Sequence, residues 1–491
     1  MSAVSLSSPS SPTHAARALA ALSSQTSNQH LTAESICPLE LVDLLIDDFF
    51  TYIHPLCPFP HEPSFRQAWK QREDLSNSSF LALLSSMIAA LVASFPRKPR
   101  QHLKALNKDN LFPNHMSLVE RCQRVCATSR GPGYLESESL DVYDAATSYF
   151  LGLVGVYTYR WRQGRLYFGE CLAIVRTLGL HKATGQAINH FGHRPTSALH
   201  GKPTEGEQRT DCVTQEIGRR IFWTLFVGVK SCTQFGADFS ELVMPPPTPS
   251  ETYPAFPAEV DDFCIYPTHI EPQPEGLLPA IAGFNANVRV FASYQSMSTM
   301  EIAWGIDSVV DWDRQRRVLF ESLRRCKDAV TELPPQLLVN PNQQPTHPTF
   351  SVGTGPGDVD PLQHMEIDQS PEQRRQMQCE IQKANIYASC LATRSYIVQK
   401  YWNLCEARDR TLTTSRQNSP GTGITQAGLD GLLPRAPTSN YDFIEHEMRS
   451  ERESIMKDLL MVLSTIKEVH MEPNADSFVS CLTDIPIMQQ Y

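Results

Sequence analysis

A chain of 491 residues with 41% hydrophobic and 20% charged side chains can bury a large core, which excludes a wholly disordered chain and a fibre. Its 43 basic and 53 acidic residues leave a formal charge of -10, so a surface that wraps nucleic acid through charge alone is excluded; DNA contact is expected to be local or to lie outside this chain. The 13 cysteines are irregularly spaced, odd in number and never in C-x-x-C spacing, which points to a reducing compartment and away from a thiolate zinc ribbon or redox pair.

Residues 1–38 are rich in Ser, Thr and Ala and are expected to be disordered; their only apolar piece, Ala18 to Leu22, is too short for a signal-peptide core. From Leu41 the pattern changes, with Val42, Leu45, Ile46, Phe49 and Ile53 at helical spacing as far as Pro55. Phe80 to Phe95 is apolar on every face, the mark of a helix inside a large core, and at 16 residues broken by Ser85, Ser86 and Ser94 it falls short of a membrane span. Helices are expected over Leu140 to Tyr157, from Arg160 to a stop at Gly179, over Thr214 to Phe235, near Leu277 to Thr299 and over Val309 to Leu333. Ser370, Pro371 and Gln373 form an N-cap, a first-turn proline and a capping-box glutamine ahead of the stripe Met377, Ile381, Ala384, Ala388, Leu391, Val398 and Trp402. Ile455, Leu459, Val462, Ile466 and Val469 repeat that spacing. Polar stretches near 188–211, 243–260, 334–369 and 411–440 read as loops. The fold class is all-α, a large helical bundle with a disordered N-terminus and long polar loops. Its expected divisions are a helical body at 39–335, a linker at 336–369, a long helix of the same body at 370–410, a linker at 411–438 and C-terminal helices at 439–491.

Four clusters could carry chemistry. His54, Cys57 and His61 in HPLCPFPH have metal-binding side chains, but a fourth ligand is not evident and the prolines favour a turn between helices, with Phe59 plugging the core. Asp47 and Asp48 invite comparison with the aspartate-rich motif of all-α terpene cyclases; Thr51 stands where a second carboxylate would be needed, so a solvated acidic pair is the expectation. Arg219 and Arg220 are expected to sit partly off the apolar face of their helix and to pair with acids such as Glu216, while Ile221, Phe222 and Trp223 enter the core. Arg97, Lys98 and Arg100 form a short basic loop that reads as a surface charge run or a nuclear-import patch. No residue is singled out as catalytic, cofactor-binding or metal-ligating, and an enzyme is not expected.

The order of segments resembles the regulatory middle homology domain of fungal zinc-cluster transcription factors. LVDLLIDDFFTYIHPLCPFPHEPSF is similar to that domain's opening; RLYFGECLAIVRTLGLHK to its L-G-L-H helix; EIGRRIFWTLFVGVK to its E-x-x-R-R helix; and PAEVDDFCI to the acidic loop that follows. The resemblance implies an all-α nuclear regulator, pathway-specific for a metabolic or secondary-metabolite gene set, whose body controls activation by contacting co-regulators or sensing a small-molecule effector; a homodimer is a separate expectation. The family's zinc-cluster module of six cysteines and two zinc ions is not seen, since Cys37 is the first cysteine and one arginine and no lysine precede it. DNA contact and zinc are therefore expected only through an upstream module, and the alternative is a modulator that dimerises with another DNA-bound factor.

Overall fold

The computed structural model describes residues 31–474 except 137–139, 183–210, 238–241, 243, 245, 306–308, 340–369 and 418–441. Among these residues the fold is all-α: there is no strand, and the one β contact is an isolated bridge between Ile265 and Ile270. The segment expected to be disordered lies outside the described residues as far as 30. From Leu31 the chain is held, because Ala33 and Ile36 are buried and the Ala33 N–H donates to Asp74 Oδ2 at 3.0 Å.

The first helix, α1 (Leu39–Asp48), continues as a π-helical turn over Phe49–Ile53 before Pro55 ends it. The turn that follows leads into α2 (Glu62–Lys70). Helix α3 (Ser78–Ser94) starts at Asn77, whose side chain accepts the Phe80 N–H, and is buried on nearly every face. Its serines do not strand polar atoms in the core: Ser85 and Ser86 donate to the Leu81 and Leu83 carbonyls at 2.7 and 2.8 Å. Helix α4 (Arg97–Ala105) turns back from it, and then α5 (His115–Arg130), α6 (Val142–Tyr157) and α7 (Trp161–Thr177) complete a layer in which α3 packs on α5 and α6, and α6 on α7. Beyond α7, Gly179 takes the left-handed conformation, with φ of 71°, that its position after the last turn demands.

Helix α8 (Cys212–Gln234) is capped by Asp211, which accepts the Thr214 N–H at 2.8 Å. It is followed by an irregular stretch and then α9 (Ile281–Ala292), α10 (Gln295–Trp304) and α11 (Trp312–Thr331). The 47-residue helix α12 (Pro371–Gln417) packs along α9, α11 and α13 (Phe443–Thr465), and α14 (Glu468–Met471) returns to its flank. The capping box at its start forms as expected: the Gln373 N–H donates to Ser370 Oγ and the Ser370 N–H to Gln373 Oε1. One apolar core runs from Ala33 to Ile466, so the later helices share it with the earlier ones.

Three differences from expectation have physical causes. Helices α2, α4 and α5 were not anticipated: α2 and α4 are short with few apolar positions, whereas α5 carries a stripe of Leu118, Val119, Cys122, Val125 and Cys126 that was passed over. Leu277 to Thr299 is two helices, not one: Ser293 Oγ donates to the Val290 carbonyl at 2.6 Å, and the chain breaks at Tyr294. Arg97, Lys98 and Arg100 belong to a helix rather than a loop, and Lys98 is buried with its ammonium 4.9 Å from the Tyr52 ring centre. The expected linkers at 188–211 and 336–369 lie outside the described residues, as far as 210 in the first and from 340 in the second. The linker expected from 411 begins later, since α12 runs on to Gln417.

Helices α6 and α7 meet at glycines. A Cβ on Gly155 would stand 2.4 Å from the Gly164 backbone nitrogen, which cannot swing away as a side chain could. Gly155→Ala is therefore expected to lower the unfolding free energy by about 1–3 kcal/mol in urea titrations. Gly169→Ala on the same α7 meets only an ordinary 3.5 Å contact with Leu242 Cδ2 and should be neutral or stabilising, by up to about 1 kcal/mol.

Candidate functional site

The blocks HPLCPFPH, EIGRR and DDF, more than 150 residues apart at their ends, converge on one buried guanidinium. Arg220 projects from α8 into the core with 1% of its surface exposed. Its Nη1 donates to Asp262 Oδ1 at 2.6 Å and to the Pro58 carbonyl at 3.1 Å, and its Nε lies 3.4 Å from Glu216 Oε1, one helical turn back. Glu216, equally buried, also accepts the Ala258 N–H at 2.9 Å and Arg219 Nη1 at 3.0 Å. The expected pairing with Glu216 holds for both arginines, and the expected position off the apolar face holds for the partly exposed Arg219 but is corrected for Arg220, which lies inside: two carboxylates and a carbonyl replace the water it loses. Ile221, Phe222 and Trp223 are buried as expected.

Asp262 is the second centre of this cluster. Its Oδ2 accepts the Glu62 N–H at 2.8 Å at the start of α2, and its backbone carbonyl accepts from His61 Nε2 at 2.8 Å. Burial disfavours its charge, but Arg220, with His54 and His61, overcomes this and holds the carboxyl far below the usual range. His54 goes the other way. Burial outweighs the attraction of Asp262, 3.6 Å away, and lowers its pKa; the neutral ring donates Nε2–H to the Pro60 carbonyl at 3.1 Å. The neighbouring Asp261 faces outward from the cluster and binds the later half of the chain, with Oδ2 3.0 Å from Arg375 Nη1 on α12 and Oδ1 accepting the Ala280 N–H at 2.7 Å. Glu62 likewise meets Arg374 Nη2 at 2.9 Å.

The other candidate clusters come apart. His54 and His61 spend their Nε2 atoms on carbonyls, and burial pushes the Cys57 thiol up to about 12 and keeps it protonated, so the trio is not poised to ligate a metal ion. Phe59 is fully buried against Tyr149 and Phe150, as the turn reading expected. Asp47 is solvated and meets Arg66 Nη1 at 2.7 Å, whereas Asp48 is buried and its Oδ2 lies 2.6 Å from His102 Nε2 on α4, which corrects the expected solvated pair. Thr51 Oγ1 donates to the Asp47 carbonyl, so nothing at this site gathers carboxylates around a cation. Among the described residues no group of three or more His, Cys, Asp and Glu side chains is placed to hold a metal ion, and no single helix is long and apolar enough to cross a membrane.

Sequence reasoning missed two further arginines whose side chains are largely enclosed. Arg130 joins α5 to α6 and α7 through the Asp144 carbonyl, Ser148 Oγ and Glu170 Oε1, at 2.8 to 2.9 Å. Arg394 joins α12 to α13 through Glu451 at 2.5 Å, Asp458 at 2.6 Å and Ser454 at 3.1 Å. The missed signal was an arginine inside an apolar stripe, an unstable arrangement unless acids wait on the neighbouring helix.

Beside the Arg220 cluster a cavity of about 110 Å³ opens where Leu56 and Cys57 of the turn, α6, α7 and α8 meet α9, α12 and Asn474, the end of the 3-10 turn after α14. No Asp, Glu, Lys, Arg or His lines it.

Residues 46–242 match the family model of the fungal specific transcription factor domain, a regulatory domain and not an enzyme family. That stretch holds His54, Cys57, His61, Glu216 and Arg220, while Asp261 and Asp262 lie just beyond it. No curated protein and no solved structure matches the chain.

Removing Arg220 strands buried Asp262 and Glu216. Arg220→Met and Asp262→Asn are each expected to cost about 3–5 kcal/mol in urea titrations, and the double variant to cost less than their sum by at least about 1 kcal/mol. The cluster also sets a pH dependence. The folded chain keeps His54 neutral while the unfolded chain takes up a proton below about pH 6.5, so stability falls as pH drops from there. His181 and His470, whose pKa values burial also lowers, add to this fall. Asp262, ionised in the fold, adds its own loss below about pH 4. Denaturation midpoints from pH 7.5 to 4.5 should show the first decline, and His54→Gln should make it shallower.

Proposed function

We propose that this chain, through its fungal specific transcription factor domain, works in the nucleus as a pathway-specific regulator of a metabolic or secondary-metabolite gene set. The single observation that carries the reading is the meeting of the domain's turn and its E-x-x-R-R helix on Arg220, with an adjoining acidic loop tied both to that arginine and, through Asp261, to α12. A helical body built this way couples its early and late halves, as a regulatory body must. DNA contact is supplied by a zinc-cluster module or by a partner factor with which the body dimerises, and the exposed helices receive co-regulators. The formal charge of -10 supports placing the DNA contact elsewhere.

The test has two arms. The chain fused to a heterologous DNA-binding domain is expected to change output from a matched reporter at least severalfold in either direction, and Arg220→Met to reduce that effect. Deleting the gene where the protein is expressed is expected to alter a coherent set of metabolic transcripts. An inert fusion together with an unchanged transcriptome overturns the proposal.

A further inference from the structure

The cavity beside the Arg220 cluster has the features of a built binding site rather than a packing fault. One wall belongs to the matched domain, with Cys57, Tyr149, Phe168 and Thr224; the facing wall belongs to later helices, with Asn287 and Phe291 on α9 and Ser389 on α12. Its mouth is marked by Tyr159 and Trp161, whose aromatic surfaces are exposed. Asn287 is 97% buried, at 3% exposure, yet its Oδ1 has no hydrogen-bond partner. Leaving such an atom unpaired costs about 1–3 kcal/mol; because the oxygen itself is enclosed, a guest gains that energy once the amide turns to present it to the space.

The lining also states what the occupant is. With no ionisable acid, base or histidine around it, a charged guest would lose its hydration without compensation. Burial raises the Cys57 and Cys232 thiols to about 12, so they line the space as neutral, unreactive groups and do not bond covalently to the guest. A volume of about 110 Å³, below the roughly 150 Å³ of an engineered cavity that takes benzene, limits the guest to no more than a single ring. Aromatic rings such as Tyr149, Phe168 and Phe291 share the walls with aliphatic and neutral polar side chains, and a hydroxyl, both donor and acceptor, meets the Asn287 amide in either orientation.

We propose that this cavity binds a small neutral ring compound carrying a hydroxyl group, of the phenol class, which hydrogen-bonds to Asn287 and bridges the matched domain to α9 and α12. That the occupant acts as an effector rests on the regulatory reading above; that it binds does not. Thr224 lies one turn beyond Arg220 and Cys57 one residue before Pro58, so the guest touches both the helix and the turn of the Arg220 cluster.

The experiment titrates the purified full chain with phenol, toluene and benzoate by calorimetry. Phenol is expected to bind saturably, toluene more weakly, and benzoate not at all. Asn287→Leu removes the unpaired oxygen and should fold at least as stably as the parent, checked by urea titration; it is expected to weaken phenol about fivefold to tenfold and leave toluene unchanged. Ser389→Phe, which fills the space, is expected to abolish both. No saturable phenol binding to the parent chain, equal phenol affinity of Asn287→Leu, or benzoate binding as tightly as phenol each overturns the site. If phenol binds as expected but leaves reporter output unchanged, the site stands and the effector role is withdrawn.

Discussion

A guanidinium removed from water must find all its partners in the protein, and Arg220 imposes that demand on the whole fold. Its acceptors are Asp262, Glu216 and the Pro58 carbonyl, which come from three separate segments. Each of these is held in turn: Asp262 by the Glu62 N–H, Glu216 by the Ala258 N–H, and the Pro58 turn by Phe59 buried in the aromatic core. Hydrophobic burial is not directional and by itself leaves the turn more freedom over α8. The charged hydrogen bonds remove that freedom.

The same device recurs at two other places. Arg130 fastens α5, α6 and α7, and Arg394 fastens α12 to α13, each with acceptors drawn from the neighbouring helix. Between these fixed regions lies the seam where the matched domain faces α9 and α12. The adjacent acids Asp261 and Asp262 span it, one pointing to Arg375 and the other to Arg220. A cavity at such a seam is well placed to bias how the halves sit, since a guest contacts both at once.

Much of the helical order was legible in the residues. The all-round apolar stretch at α3, the Ser370 capping box, the stop at Gly179 and the turn around Phe59 are local signals, set by spacing and backbone chemistry within a few residues. Helices α2 and α4 were not legible because each is nine residues long with few apolar side chains, and α5 was passed over although Leu118, Cys122 and Val125 mark a stripe. The candidate site was legible only in pieces. Arg220, Glu216 and the Asp261 and Asp262 pair were visible as residues in blocks, but nothing in their spacing said that the arginine points inward or that the two acids point apart. Asn287 carried no signal at all, since an unpaired amide is a property of its surroundings.

By itself the sequence determined the class of the molecule: helical periodicity without alternating strands, and segments in the order of a regulatory domain. These depend on interactions a few residues long, which the chain encodes directly. Tertiary structure alone decided which charges are buried, which are paired and where space remains. Those outcomes depend on atoms hundreds of residues apart, such as Gln378 Nε2 donating to the Phe50 carbonyl across 328 positions, and no local pattern records them.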